Sequence, residues 1–169
     1  MKQILLKMKA ETKSPSRPNS THILFSWIGG LIGISCIALL SKTLNYPLIM
    51  APFGASCVLL FGVPDSPLSQ PRNLIGGHLA SSLVGLLFLT FLGNEWYVLG
   101  FAVATSIAVM QLTKTTHPPA GADPIVILMG NADWTFLLTP ALSGSFILFI
   151  LALLFNNLVK SRQYPKFWK

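Results

Sequence analysis

The residues of this sequence that could do chemistry stand together in one polar, proline-rich stretch, residues 114–124, between two hydrophobic runs. Lys114, His117 and Asp123 supply an amine, an imidazole and a carboxyl, each able to carry charge or a proton. Such groups are costly inside a bilayer, about 3 kcal/mol for a central Asp or Lys, so they persist mainly where they line a pathway or a site. We therefore take this stretch as the first candidate for a functional site, with a solvent-exposed loop between two spans as the alternative.

Two of these side chains have more than one reading. His117 could act as a proton carrier or as an anion ligand, because an unperturbed imidazole changes charge at a pKa of about 6.5. A structural role, in which the ring only caps backbone groups, is the alternative. Asp123 fits an anion site less easily, since a carboxylate repels an anion. It either caps a helix and faces away, or it is protonated and takes part in proton-coupled movement.

The local sequence predicts an extended arm followed by a short helix. Asp123 and Pro124 precede an apolar run, the arrangement of an N-cap with proline at the first helical position. Pro118 and Pro119 lack an N–H and push the preceding residue into extended geometry, so we expect no helix there. Gly121 leaves the backbone open to close approach by a ligand.

Composition places the chain in a membrane. Its 169 residues are 52% hydrophobic and only 10% charged, against about 25% charged in ordinary soluble domains. Nine of the twelve Lys and Arg residues lie in the two tails. The net charge of +7 therefore predicts that the tails stay on the cytoplasmic side and contact anionic headgroups. No basic helix or aromatic platform accompanies the charge, so nucleic acid is not an expected partner. Cys36 and Cys57 lie in apolar runs without metal-ligand spacing, and we expect neither a metal nor another cofactor.

Four hydrophobic runs are predicted to be full spans, at residues 22–41, 74–92, 98–112 and 136–159. The basic segments outside this transmembrane domain of residues 22–159 are predicted to be tails: residues 1–21, which we expect to be disordered, and residues 160–169. Small residues four apart predict faces on which another helix can pack closely: Gly29 with Gly33, and Gly77 with Ser81 and Gly85.

One further hydrophobic run, residues 43–63, is interrupted by Pro47, Pro52 and Gly54. Proline removes a helical hydrogen bond, so we do not expect a continuous helix. The sequence predicts an irregular chain followed by a short helix that starts at Ser56, a favourable N-cap.

The pattern Pro-x-Gly-Ala followed by Ser or Asp occurs at Pro52 and again 67 residues later at Pro119. The same offset carries Gly77 onto Gly144. We interpret this as an internal duplication. The predicted fold is an all-α integral membrane protein of two inverted repeats, each made of span, broken helix and span, with four full spans plus two broken or re-entrant segments. The repeats cover about residues 22–92 and 96–159.

Topology depends on whether the broken segments cross the membrane or re-enter. If they cross, Arg72, Lys114 and both termini are cytoplasmic, and the second repeat is inverted relative to the first. If they re-enter, Arg72 and Lys114 lie outside. The positive-inside rule favours six crossings. Paired broken helices in inverted repeats indicate a transporter site where half-helix N-termini converge, here at Ser56 and Asp123, and such termini suit an anion.

Three motifs, in order, give the chain a family resemblance. They are Ala-Pro-Phe-Gly-Ala-Ser at residues 51–56, Ser-Pro-Leu-Ser-Gln-Pro-Arg-Asn-Leu-Ile-Gly-Gly-His at residues 66–78, and Thr-Thr-His-Pro-Pro-Ala-Gly-Ala-Asp at residues 115–123. Over roughly residues 22–160 the sequence resembles the HPP family of integral membrane proteins. The resemblance implies four spans and, from the plastid and cyanobacterial members, transport of nitrite.

We therefore predict a small membrane transporter or channel for a small monovalent anion of the nitrite type, with its site between the two Pro-x-Gly-Ala breaks. The candidate substrate-binding or translocation residues are Pro52, Gly54, Ser56, Arg72, Asn73, His78, Lys114, His117, Pro118, Pro119, Gly121 and Asp123. Arg72 and Lys114 could attract an anion or simply contact headgroups, and His78 could line the pathway or bridge two helices.

Two other functions stay open. One is a cation or proton pathway through His117 and Asp123. The other is a membrane enzyme with that pair as acid and base, which we do not expect because the sequence has no nucleophile motif, metal set or nucleotide fingerprint.

The expected partners are a small inorganic anion and the lipid bilayer. Two repeats of this size enclose little volume, which favours a homo-oligomer, although no residue indicates one. The short, Lys-rich amino-terminal segment suits a bacterial inner membrane, with both termini cytoplasmic, better than an organelle.

Overall fold

The computed structural model describes residues 2–8 and 12–168, and all regular structure within them is helical. The α-helices are α1 (Lys2–Lys7), α2 (Ser20–Leu44), α3 (Pro52–Cys57), α4 (Pro71–Leu92), α5 (Trp96–Leu112), α6 (Asp123–Gly130) and α7 (Ser143–Leu158). Single turns of other helix types join them: π-helical turns at Val58–Gly62 and Leu138–Leu142, and 3₁₀ turns at Pro67–Ser69, Pro118–Ala122 and Trp134–Leu137. The predicted all-α class is confirmed.

In the part of the chain that the structure describes, three helical stretches are long and apolar enough to cross a membrane: α2, α4 and Trp134–Leu158, the last of which ends in α7. Helix α5 is equally apolar in character but shorter, at 17 residues. The structure therefore fits an integral membrane protein. The predicted fourth full span would correspond to α5 and stays a prediction.

The first broken segment runs from one end of the helix bundle to the other. The chain leaves α2 at Leu44, yet by Gly62 it is back beside the start of α2, where the His22 Nε2 donates to the Gly62 carbonyl oxygen at 2.8 Å. Helix α4 then begins at this same end. We call it the tail end of the bundle, because both chain tails leave from it.

The second broken segment runs in the opposite direction. Helix α5 finishes at the tail end, where Arg72 Nη2 donates to the Thr113 carbonyl oxygen at 2.7 Å. At its other end the segment finishes with α6, whose Leu128 packs in one buried cluster with Leu86 of α4 and Val98 of α5. The chain has thus moved from the tail end to the opposite end between residues 113 and 130.

Two local predictions were wrong. The first half-helix begins at Pro52 and includes Ser56, which we expected to be its N-cap. Proline at the first helical position is itself a good start, so the helix does not need the serine hydroxyl. The segment Pro118–Ala122 forms a 3₁₀ turn where we expected extended chain. Two successive prolines at the start of a helix lose only N–H groups that have no partner there anyway, so they are compatible with this turn.

The predicted small-residue faces are confirmed as sites of close packing. A Cβ added at Gly29 would lie 2.5 Å from the Phe61 ring, and one at Gly33 would lie 3.2 Å from the Cys57 sulfur, so this face of α2 receives the first broken segment. On α4, a Cβ at Gly85 would lie 2.9 Å from Pro124, so this face receives the second. Side chains of the first broken segment fill the space over the glycines of α2, whereas the backbone of the second lies directly against the glycines of α4.

Replacing Gly77 with alanine is expected to destabilise the protein by about 1–3 kcal/mol, because the added Cβ would overpack the interface. It would lie 2.6 Å from the His117 Cβ and 2.8 Å from the Thr115 carbonyl oxygen. Gly100→Ala is the matched control, since nothing lies within 4 Å of its added Cβ. Thermal unfolding of the purified variants measures the effect, and equal melting temperatures for both variants would contradict it.

Both chain tails contain local structure within the described residues. The amino-terminal one contains α1, and Asn19 caps α2 by accepting from the His22 N–H at 2.8 Å. The carboxyl tail folds back on the tail end of the bundle, where the buried Tyr164 donates from its hydroxyl to the Ser69 carbonyl oxygen at 2.9 Å.

Arg162 in this carboxyl tail clamps three parts of the chain. It donates to the Phe61 carbonyl oxygen at 3.0 Å and to the His22 carbonyl oxygen at 3.1 Å, and it also contacts Asn156 of α7. A cation at the carboxyl end of a helical segment is favourable, because unpaired carbonyl groups concentrate there. Burial lowers the pKa of Arg162 from its usual value, and nearby Asp65 opposes that shift.

Candidate functional site

Four polar side chains from different parts of the chain meet in the interior of the bundle. They are Ser56 of α3, His78 of α4, His117 directly before the 3₁₀ turn Pro118–Ala122, and Asp123 of α6, and each is 0% exposed. We call residues 113–122 the 3₁₀ arm. Ser56 Oγ lies 3.0 Å from His78 Nε2 and 2.9 Å from His117 Nε2. His78 Nδ1 lies 2.8 Å from Asp123 Oδ2. We call these four residues the polar cluster.

Close backbone packing sets the position of each ring. Gly77 allows the backbone around His117 to lie directly against α4, which brings that ring next to His78 at a centroid distance of 5.0 Å. One turn further along α4, Ser81 Oγ donates to the Ala120 carbonyl oxygen at 2.6 Å. Phe53 contacts the His78 ring edge-on, with centroids 5.2 Å apart.

Asp123 is not the N-cap that we predicted. It occupies the first turn of α6, and its carboxylate faces α4, where Oδ2 contacts His78 and accepts from Ser82 Oγ at 3.1 Å. Its other oxygen, Oδ1, is buried and has no hydrogen-bond partner among the described residues. A buried carboxylate oxygen without a partner is costly, which marks the position as one that a proton or a ligand can occupy.

Arg72, Asn73 and Lys114 lie outside the polar cluster. Arg72 bonds the Thr113 carbonyl oxygen, and Asn73 Nδ2 donates to the Thr116 carbonyl oxygen at 2.8 Å, so both tie the 3₁₀ arm to α4. Lys114 is exposed and has a positive φ of 57° at the turn out of α5. These three residues surround the tail-end side of the arm.

The chain's relatives point to a single membrane family. The family described as HPP, transmembrane region, matches residues 15–165. The chain belongs to this HPP family. Two transmembrane proteins of Dictyostelium discoideum are each 37% identical to this HPP chain, over 98% and 92% of its length. The chain spans 57% and 59% of the lengths of those relatives. No solved structure matches it significantly.

The space between the two breaks of this HPP protein is an open groove of about 670 Å³. Its lining is almost entirely apolar and includes Pro52, Ala55, Pro118, Pro119, Ala122 and Val126. Gly54 is exposed and Gly121 half-buried, and neither would meet an atom within 4 Å through an added Cβ. The predicted site residues thus divide into a buried polar cluster, residues at or beside an apolar groove, Arg72 and Asn73, which hold the 3₁₀ arm, and the exposed Lys114.

Two groups that contact the polar cluster of this HPP protein were not predicted from the sequence. Ser82 lies four residues after His78, a spacing that places both on one face of α4, so periodicity could have identified it. The Leu68 carbonyl oxygen, which accepts from His117 Nδ1 at 2.8 Å, has no side-chain signal at all. Within residues 2–8 and 12–168, no three His, Cys, Asp or Glu side chains are grouped so that they could hold a metal ion.

Proposed function

We propose that this HPP protein is a membrane transporter for a small monovalent anion, nitrite, which passes between the two helix breaks next to His117. The observation that carries the proposal is the meeting of the two broken segments at the polar cluster, where Ser56 of the first contacts His117 of the second at 2.9 Å. Paired broken helices that meet inside a bundle are the usual construction of a transporter site. Membership of a transmembrane family agrees with it.

The proposal includes two inverted repeats. Gly77 and Gly144 stand 67 residues apart, at the offset of the two Pro-x-Gly-Ala motifs. A Cβ at Gly77 would meet His117 of the second broken segment, and a Cβ at Gly144 would meet Phe53 of the first. Each repeat's last span therefore packs against the other repeat's break. This reciprocal packing of each repeat against the other supports a duplicated unit in which both breaks cross the membrane.

We further propose that the tail end faces the cytoplasm, in a bacterial inner membrane. Arg72, Lys114 and Arg162 lie at that end, while Glu95 and Asp133 lie in turns at the opposite end. An excess of Arg and Lys on the cytoplasmic side supports this orientation. The open groove between the breaks would then face lipid or, in a homo-oligomer, another copy of the chain.

Uptake of isotopically labelled nitrite into proteoliposomes tests the proposed function. We expect saturable uptake by the wild-type protein that unlabelled nitrite competes away, and none in protein-free vesicles. Absence of uptake by correctly oriented protein would contradict nitrite as the substrate.

A cation or proton pathway is the second candidate, and the unpartnered Asp123 Oδ1 favours it. A buried carboxylate attracts a cation or a proton and repels an anion. Flux that follows a cation gradient and ignores nitrite would support this candidate.

We propose that the protein is not an enzyme, although Ser56, His78 and Asp123 are in contact in the order of a Ser–His–Asp triad. The Ser56 hydroxyl is fully buried, and His117 occupies its other side. A substrate carbonyl would need that position. Labelling of Ser56 by a fluorophosphonate in the folded protein would overturn this view.

A further inference from the structure

We propose that Asp123, His78, Ser56 and His117 form a proton relay that couples transport to the movement of protons through the protein. The inference rests on the proposed transport function and adds its energy source. The four residues and the Leu68 carbonyl form one uninterrupted chain of hydrogen bonds. The relay follows from which atom of each contact must donate.

The Leu68 carbonyl fixes the direction of the hydrogen bonds at one end of the relay. A carbonyl oxygen only accepts, so His117 Nδ1 must carry a proton and donate to it over the 2.8 Å contact. When His117 is neutral, its Nε2 therefore accepts, and the single proton of the Ser56 hydroxyl fills that 2.9 Å contact. Ser56 can then only accept from His78, so His78 Nε2 must carry a proton. The proton of the remaining contact lies between His78 Nδ1 and Asp123 Oδ2.

The same heavy atoms fit a second arrangement with the same number of protons. Asp123 gives its proton to His78 Nδ1, His78 gives the Nε2 proton to Ser56 Oγ, and Ser56 gives its original proton to His117 Nε2. His117 becomes an imidazolium and Asp123 a carboxylate, so the total charge is unchanged. Three protons have each moved along one hydrogen bond, and every contact is again filled.

Removing one proton leaves the chain incomplete. With an ionised Asp123 and two neutral rings, both histidine Nε2 atoms would accept from Ser56, which has one proton to donate. One of the two contacts would then be unfilled, and a buried polar group without a partner is costly. The relay therefore favours holding one additional proton, at either end.

The two ends of the relay are both buried and lie in different parts of the fold. Asp123 Oδ1, which has no partner among the described residues, is the position at which a proton can enter. His117 lies at the other end, against Leu68 in the short loop before α4 at the tail end of the bundle. A proton released from His117 Nδ1 leaves towards that end, and the ring keeps the proton on Nε2. Asp123 then takes up a new proton, and rotation of the Ser56 hydroxyl and of both imidazole rings restores the first arrangement.

Ser56→Ala tests the relay because it removes the central hydroxyl and little else. Wild-type and variant proteins are reconstituted into proteoliposomes that contain a pH dye, and labelled nitrite and lumenal acidification are followed together. We expect the number of protons carried per nitrite to fall at least about tenfold in the variant, in line with the usual contribution of a positioned proton-transfer group. Ser106→Ala, at an equally buried serine that donates within its own helix, is expected to keep the wild-type ratio.

The outcomes separate the relay from the transported substrate. An unchanged ratio in Ser56→Ala, or wild-type nitrite uptake without protons, would overturn the relay and leave nitrite transport standing. If the wild type or the variant moves no nitrite, the relay is tested instead by measuring proton flux driven by a potassium diffusion potential. A flux that falls in both Ser56→Ala and His78→Gln supports the relay even if nitrite is not the substrate. The relay is overturned if the wild-type protein shows no proton flux, or if the proton flux of both variants equals that of the wild type.

Discussion

Replacing His117 with alanine is expected to abolish nitrite uptake, lowering the rate at least about 100-fold, the lower part of the range for loss of a proton-transfer group. Within residues 2–8 and 12–168, the ring is the only side chain that joins Ser56 of the first broken segment to the Leu68 carbonyl at the tail end of the bundle. Alanine removes both contacts and leaves Ser56 with one imidazole partner. Uptake into proteoliposomes, normalised to folded protein, measures the effect.

His22→Ala is the matched control for this prediction. His22 is half-buried at the start of α2 and donates to the Gly62 carbonyl oxygen, away from the polar cluster. We expect that variant to retain uptake per folded molecule even if it lowers thermal stability. Wild-type flux in His117→Ala would remove the histidine from the transport mechanism.

Asp123→Asn is expected to reduce proton-driven nitrite accumulation at least about tenfold while preserving the fold. Asparagine has nearly the shape of aspartate and can still contact His78 and Ser82, but its amide cannot take up and release a proton at neutral pH. Asp133→Asn is the control, because Asp133 is an exposed acid whose contacts are to Thr135 within its own turn.

The direction of the Asp123→Asn effect distinguishes two roles for the carboxylate. A loss of accumulation under an imposed proton gradient is expected if Asp123 is the proton-loading group. An increase in uptake would mean that the carboxylate only repels the anion, since asparagine removes the negative charge. That result would contradict the loading role.

Much of the fold followed from the sequence because apolar runs and prolines are local signals. Bilayer thickness sets the length of a span, and Pro or Gly interrupts it. The predicted first span, residues 22–41, lies within α2, and the predicted helix at Asp123 begins where α6 begins. The helix faces at Gly29 and Gly77 were also predictable, since small residues four apart indicate where another backbone packs.

The two wrong N-cap predictions arose because each side chain had two possible hydrogen-bonding roles. Ser56 and Asp123 are both favourable N-caps, so the sequence predicted that they would cap helices. In the structure both side chains face α4 and form hydrogen bonds with His78, which is distant from them in sequence. Local preference cannot identify such partners, because they depend on how α4 packs against the broken segments. His78 could be singled out, but the sequence did not show which of the other candidate side chains contact it.

The sequence by itself therefore determined the membrane class, the HPP family, the helical runs and the polar arm around His117, because each depends on composition or on short patterns. Only the tertiary structure decided that Ser56, His78, His117 and Asp123 form one hydrogen-bonded chain. Their spacing in sequence, 22 residues from Ser56 to His78 and 45 from His78 to Asp123, carries no information about contact. Close approach of the second broken segment to the glycines of α4 brings them together, and that approach is a property of the packed helices.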